Sequence, residues 1–289
     1  MKDKKKIGTT PPKLTILLVL FLGLLTPVTR AAVLVTNLAG FGQNTVWSLI
    51  QGRDGLLYGP MSHNVYGGAG GVFQMTPNGS VNEFASTHQN SAPGWLIQGN
   101  DGDFYGTAAG QFKSNYGTVF RFATNGTVNT LAVFNGTNGS VPAELVQTAD
   151  GNFYGTTYAG GIGFTNDTWS GFGTLFKLDT NGAMTTLVWF NGTNGAGPGP
   201  LIVGSDGNLY GTTEYGGADT NVQSSPTLAQ PVTGYGTAFV LHLDGTFNLA
   251  TNLSATNSVG ADVSSLILGQ DGNVYGTARF GGLGLEQDQ

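Results

Sequence analysis

Five copies of one short pattern constrain what this chain can fold into. Asp150-Gly151-Asn152-Phe153-Tyr154-Gly155-Thr156 recurs as Asp54-Gly55-Leu56-Leu57-Tyr58-Gly59, Asp101-Gly102-Asp103-Phe104-Tyr105-Gly106-Thr107, Asp206-Gly207-Asn208-Leu209-Tyr210-Gly211-Thr212 and Asp271-Gly272-Asn273-Val274-Tyr275-Gly276-Thr277. A pattern copied in this way signals a repeat architecture, in which each unit buries its apolar face against the next.

Within one copy the Asp-Gly pair supplies a turn. Glycine takes positive φ without a Cβ clash, and aspartate bonds the backbone two residues on. An apolar pair precedes it each time: Leu49-Ile50, Leu96-Ile97, Leu145-Val146, Leu201-Ile202 and Leu266-Ile267. An apolar residue and a tyrosine follow. These flanking runs predict two adjacent antiparallel strands, a and b. Strand c carries Gly-x-x-Phe, ending at Phe73, Phe120, Phe176 and Phe239, and a Gly-containing turn leads to strand d, as over 128–134 and 184–190. Each unit therefore reads as a four-stranded meander.

The spacings show where the units differ. The aspartates are 47, 49, 56 and 65 residues apart, and the distance from each to its strand-c phenylalanine is 19, 19, 26 and 33. From that phenylalanine to the next aspartate it is 28, 30, 30 and 32. Nearly all the extra length lies between b and c. Loops absorb insertions and cores do not, so 160–172 and 216–235 are expected as surface loops.

A period of about 50 residues with four strands fits a β-propeller blade. The expected fold is an all-β propeller of about five blades. Residues 33–38 read as a strand d arriving before any unit, while the chain stops after strand b of the fifth copy. A last blade split between the two ends would hide the sheet edges. An open or incomplete ring is the other reading.

The first 31 residues have a different character. Lys2, Lys4, Lys5, Lys6 and Lys13 precede an apolar run over 14–25, and Thr29 and Ala31 fit a small-residue cleavage site. This is the pattern of a secretory signal peptide, and the run is short for a membrane span. The mature domain is then expected over 32–289, with an uncleaved N-terminal anchor as the alternative. Cleavage removes six of the 11 basic residues and one of the 17 acidic ones, leaving a net charge of −11. Such a chain disfavours nucleic acid and anionic membranes as partners. Cysteine is absent, which excludes disulfides and thiolate chemistry. The 48 glycines match many short strands joined by tight turns.

Asp150-Gly-Asn-Phe-Tyr-Gly-Thr-Thr-x-x-Gly-Gly161, followed by Gly173-Thr-Leu-Phe-Lys-Leu178, resembles the exported bacterial tandem-repeat family called GloVer. The resemblance covers about 45–282. It implies a signal peptide, a surface location, often a C-terminal sorting segment, and a propeller-like fold, but brings no established activity or catalytic residues. Residues 283–289 carry neither an apolar tail nor a basic cluster, so the protein is either released or longer than this sequence.

Chemistry is expected where the repeat breaks. The five turn aspartates could be calcium ligands, but a hard cation needs about six converging oxygens, and the turn explains them without a metal. The five tyrosines are expected to pack between blades. The b–c and d–a connections share one face, where the position four after each repeated tyrosine holds Tyr158, Glu214 and Arg279 in the last three copies. Asp167 and Trp169 lie in the first insertion, and Tyr215, Asp219 and Tyr235 in or beside the second. Aromatics with carboxylates suit sugar binding; the plain alternative is that they only cover the loops. His63, His88 and His242 fall at different phases, and no P-loop, Gly-x-Ser-x-Gly elbow or His-x-x-x-His is present.

These residues support a non-enzymatic exported scaffold for a glycan or a surface protein, without cofactor or metal. A polysaccharide hydrolase or lyase, built on Glu214, Arg279 and Tyr158, is the second reading, and a purely architectural envelope protein the third.

Overall fold

The structure is a computed structural model and describes residues 17–19, 35–37, 40, 45–46, 48–62, 70–87, 93–109, 115–167, 169–217, 234–253 and 261–280. Every regular element among them is a β-strand. Ahead of the repeats, β1 (Leu17–Val19) and β2 (Val35–Asn37) pair with each other.

Four copies then form the expected meanders. In the first, β3 (Thr45–Val46) and β4 (Ile50–Gln51) share the a position, followed by β5 (Leu57–Ser62), β6 (Gly70–Met75) and β7 (Val81–Thr87). The second is β8 (Pro93–Gln98), β9 (Phe104–Ala108), β10 (Thr118–Phe122) and β11 (Val128–Val133). The third is β12 (Ser140–Gln147), β13 (Phe153–Ala159), β14 (Thr174–Leu178) and β15 (Met184–Trp189). In the fourth, β16 (Ala196–Pro198) and β17 (Ile202–Val203) share the a position before β18 (Leu209–Tyr215), β19 (Thr237–Leu241) and β20 (Phe247–Asn252). The fifth copy contributes β21 (Ala261–Leu268) and β22 (Val274–Phe280).

The repeated residues have one local job in all five copies. The aspartate Oδ1 accepts the backbone N–H two residues on, at 3.0, 3.2, 3.0, 3.0 and 3.1 Å. Its Oδ2 accepts the hydroxyl of the repeated tyrosine, at 2.7, 2.7, 3.1, 2.9 and 2.6 Å. Turn and strand b are thereby locked into one piece. Four copies place a glycine two residues before the aspartate. A Cβ there would lie within 2.8 Å of both the carboxylate and the tyrosine ring. The third copy has Thr148 instead, and its hydroxyl donates to Asp150.

The tyrosine then reaches the next unit. Its ring centroid lies 4.2 Å from Phe104 in Tyr58 and 4.1 Å from Phe153 in Tyr105. Tyr154 shares a buried cluster with Leu209. The residue before the tyrosine shrinks along the chain, from Phe104 and Phe153 to Leu209 and Val274. At the last junction Tyr210 and Val274 line an apolar pocket of about 220 Å³.

Hydrogen bonds accompany this packing. Thr107, Thr156 and Thr212 donate to Ala143, Gly199 and Val263 carbonyls of the following unit, at 2.9, 2.7 and 3.1 Å. Gln98 and Gln147 each accept an N–H from the preceding unit's turn, at Arg53 and Asn100, and donate to their own turn glycine. Neighbouring units meet through their a and b strands, whereas the d strands β7 and β11 touch far less. Strands a are therefore innermost and strands d outermost, the radial arrangement of a propeller.

The ring is open. β2 forms near the strand d expected over 33–38, but it pairs with β1 and not with the fifth copy. The physical reason is direction: a strand d runs parallel to its own strand b, so without a strand c it has no antiparallel seat on β22. Residues 33, 34 and 38 lie outside the described residues, as does most of the segment read as a leader.

A second repeated device sits where strand b ends and strand c begins. The Thr157 and Thr174 hydroxyls meet at 2.8 Å and those of Thr213 and Thr237 at 2.9 Å, all four residues fully buried. Thr174 and Thr237 also bond the carbonyls of Asn138 and Asn194. The second unit has Ala108 in the partner position, leaving the buried Thr118 hydroxyl unsatisfied. Thr118→Val should therefore raise stability by about 1 kcal/mol, while Thr174→Val should lower it by about 1–3 kcal/mol. Urea melts of the two variants measure this, and equal effects would refute it.

The aspartate–tyrosine lock also sets a pH window. Burial pushes Asp150 upward, but hydrogen bonds from Thr148, Asn152 and Lys177 outweigh it and hold the carboxyl well below its usual range. Asp206 and Asp271 are lowered by their bonds from Asn208 and Tyr275. Tyr58 and Tyr105 are raised by burial and then by the adjacent carboxylate. Lowered carboxyls stabilise above their unfolded pKa and lose that as pH falls; raised phenols stabilise below theirs and lose it as pH rises. The melting temperature is thus expected to fall below about pH 4 and above about pH 10. Tyr105→Phe should flatten the alkaline limb.

Candidate functional site

Strands b of the third and fourth units end on the same rim. β13 carries Tyr158 there, and β18 carries Glu214 and Tyr215. The Tyr158 hydroxyl donates to Glu214 Oε2 at 2.6 Å, and Tyr215 donates to Oε1 at 2.7 Å. One carboxylate is held by two phenols from adjacent units. An ionised carboxylate has about four lone-pair sites, so two remain open for further donors.

The floor of this group is Gly197, at φ 62°. A Cβ there would lie 3.1 Å from the Tyr158 ring. The matching residue one unit earlier is Val141, forced to φ 58° by the same backbone course. Both donate their N–H to the preceding unit, Val141 to Tyr116 at 2.9 Å and Gly197 to Phe172 at 3.0 Å. A β-branched residue in the left-handed region is strained, and the glycine both relieves that strain and seats the tyrosine.

The first insertion brings a tryptophan alongside. Trp169 meets Tyr158 edge-on, with centroids 6.0 Å apart and planes at 73°, and is 46% exposed. Asp167 accepts the Trp169 N–H at 3.0 Å. Ser170, fully buried, donates its hydroxyl to the Asp167 carbonyl and accepts the Thr165 N–H, both at 2.8 Å. Phe164 stands edge-on to Tyr116 at 5.1 Å and covers Gly136, where a Cβ would collide with its ring. These contacts fasten the loop to the rim, whereas residues 218–233 of the second insertion lie outside the described residues. Beside it, Asn135 and Asn191 fold their Asn-Gly-Thr-Asn-Gly loops by accepting the N–H groups of Asn138 and Asn194.

Five of the residues singled out from the sequence therefore come together: Tyr158, Asp167, Trp169, Glu214 and Tyr215. Tyr235, just ahead of β19, is half-buried and is not a partner of Glu214. Arg279 is exposed on β22 in the last sheet, and within the trio of Glu214, Arg279 and Tyr158 a hydrogen bond joins Tyr158 to Glu214. Asp219, His63 and His88 lie outside the described residues, and His242 bonds Asn248 at 3.1 Å. Among the described residues no three His, Asp or Glu side chains group as a metal site. No helix among them is long and apolar enough to cross a membrane. The turn aspartates are occupied by their own turns and tyrosines. Sequence reasoning missed Gly197 and Ser170; the change from Val141 to Gly197 at matching positions was the available signal.

The family model described as Gloeobacter/Verrucomicrobia repeat matches residues 44–284. The chain belongs to this family. No curated protein sequence matches the Gloeobacter/Verrucomicrobia repeat chain. Among solved structures it is similar to streptogramin B lyase, with 14% identity and a TM-score of 0.53, covering 80% of this chain and 61% of that one. It is similar to a catalytically inactive virginiamycin B lyase from Staphylococcus aureus with quinupristin, at 12% identity and a TM-score of 0.55, covering 86% and 75%. It also resembles the extracellular domain of a putative hybrid two-component system from B. thetaiotaomicron, at 10% identity and 0.54, covering 84% and 27%. The repeat chain spans about three fifths of streptogramin B lyase. At these identities the likeness is one of fold.

Gly197→Ala should lower stability by about 1–2 kcal/mol, through left-handed strain and pressure on Tyr158. Val141→Gly should be neutral or stabilising. Thermal melts of both variants check the pair, and a neutral Gly197→Ala would show that Tyr158 is not seated as described.

Proposed function

We propose that this repeat protein is an exported, non-enzymatic binding scaffold that takes a neutral glycan on the rim formed by Tyr158, Trp169, Glu214 and Tyr215. The observation that carries the reading is the Glu214 carboxylate fixed by two phenols beside a half-exposed tryptophan. An aromatic face stacks on a sugar ring, and the open carboxylate lone pairs accept its hydroxyls; the Asn-Gly loops add amides on the same side. A net-negative mature chain repels acidic polysaccharides, which favours an uncharged ligand. Glu214 bound by two tyrosines supports a positioning role; glycoside hydrolysis works with two carboxyls, and Asp167, the second one at the rim, is engaged by the Trp169 backbone. Export rests on the basic and apolar pattern of residues 1–31.

A glycan array combined with a reducing-sugar assay on the purified protein tests this. The expected result is binding of neutral oligosaccharides without new reducing ends. Glu214→Gln and Trp169→Ala should each weaken binding by about ten-fold or more. Release of new reducing ends would replace the reading with the hydrolase or lyase, and silence in both assays would favour an architectural role. N-terminal sequencing after expression in an exporting host should begin at Ala32.

A further inference from the structure

We propose that the inner wall carries a second site, at Trp95 and Glu144, for the cationic head of an organic ammonium compound. The residue before each apolar pair of strand a is Ser48, Trp95, Glu144, Pro200 and Ser265 in the five copies. A position that varies inside a constant frame is where the frame does not need it. Strands a are innermost, so these residues lie at the inner edge of their sheets.

Trp95 and Glu144 occupy this position on adjacent strands, β8 and β12, which approach within 8 Å between Cα atoms. Trp95 is paired with Thr107 across β8 and β9. The Thr107 hydroxyl donates to the carbonyl of Ala143, the residue before Glu144, at 2.9 Å. That bond ties the two positions together. Both strands are bulged at this point, between Pro93 and Trp95 and between Pro142 and Leu145, and bulges re-aim side chains.

Among the described residues, neither side chain belongs to a buried cluster or a hydrogen-bond network. Trp95 is 40% exposed and belongs to none of the buried clusters. Glu144 is half-buried and has no hydrogen-bond or ion-pair partner among the described residues. Burial pushes its carboxyl above the ordinary range. A desolvated carboxyl without a partner gains most from a charged one, and an indole face attracts the same cation. The Ser48 hydroxyl is buried and Pro200 offers no side-chain donor, so the multiple polar contacts a sugar needs are lacking here. The acidic mature chain raises the local concentration of cations. Around Glu144, the titratable groups on the strands packed against β12 are Tyr105, Tyr154 and Tyr158, each bonded to Asp101, Asp150 or Glu214. Asp101 and Asp103, in the turn before β9, are paired with Arg121.

Calorimetric titration of the full chain with choline chloride, at ionic strength fixed by sodium chloride, tests the site. Saturable binding is expected, with tetramethylammonium competing. Affinity should rise with pH through the Glu144 carboxyl range, because the bound cation favours the ionised form. Trp95→Ala and Glu144→Gln should each cost about ten-fold or more, Trp95→Phe should retain part of the affinity, and Glu144→Gln should abolish the pH dependence. Circular dichroism melts establish that the variants fold. Absence of binding at about 10 mM choline, or binding insensitive to both substitutions, overturns the proposal. Loss of choline binding in Trp169→Ala but not in Trp95→Ala would move the cation to the rim and overturn it equally.

Discussion

The contact on which the rest depends is the bond from a tyrosine hydroxyl to an aspartate four residues earlier. It closes the a–b turn, and it fixes the ring that the next unit packs against. Local and long-range order are therefore carried by one side chain. A turn that opened would release the tyrosine, and with it the junction to the following sheet. That is why these residues recur in every copy.

On this constant frame the rim acquires individuality. Buried threonine pairs pin the end of strand b and the start of strand c to the Asn-Gly loops, which leaves the last residues of strand b well placed at the surface. Tyr158 and Glu214 occupy that place in successive units and meet across the junction. Strain is handled differently in the two copies, with Val141 bearing it and Gly197 removing it beneath Tyr158.

The repeat, its four strands and the turn chemistry were legible in the sequence, because turn residues and apolar periodicity report local geometry. The rim residues were legible as departures from the copied pattern. Arg279 shares their phase one junction on from Glu214, but equal phase in a repeat fixes height on a blade and not which side chains meet. The pairing of β2 with β1 was not foreseeable from patterning, which leaves partner choice open for a short edge strand. Gln98 and Gln147 also escaped notice: a glutamine after an apolar pair says nothing of the neighbouring turn it will reach.

Those glutamines have a mechanical corollary. Val203 and Leu268 stand in their place in the later copies, where the tapering of Phe104 and Phe153 to Leu209 and Val274 thins the apolar contact as well. Cohesion in this array is graded along the polypeptide, tightest where Tyr58 and Tyr105 bear on their phenylalanines. Under heat or pulling, such a stack frays from its carboxyl side while the opening units hold, so partial unzipping, not a single concerted melt, is the natural response of the molecule to load.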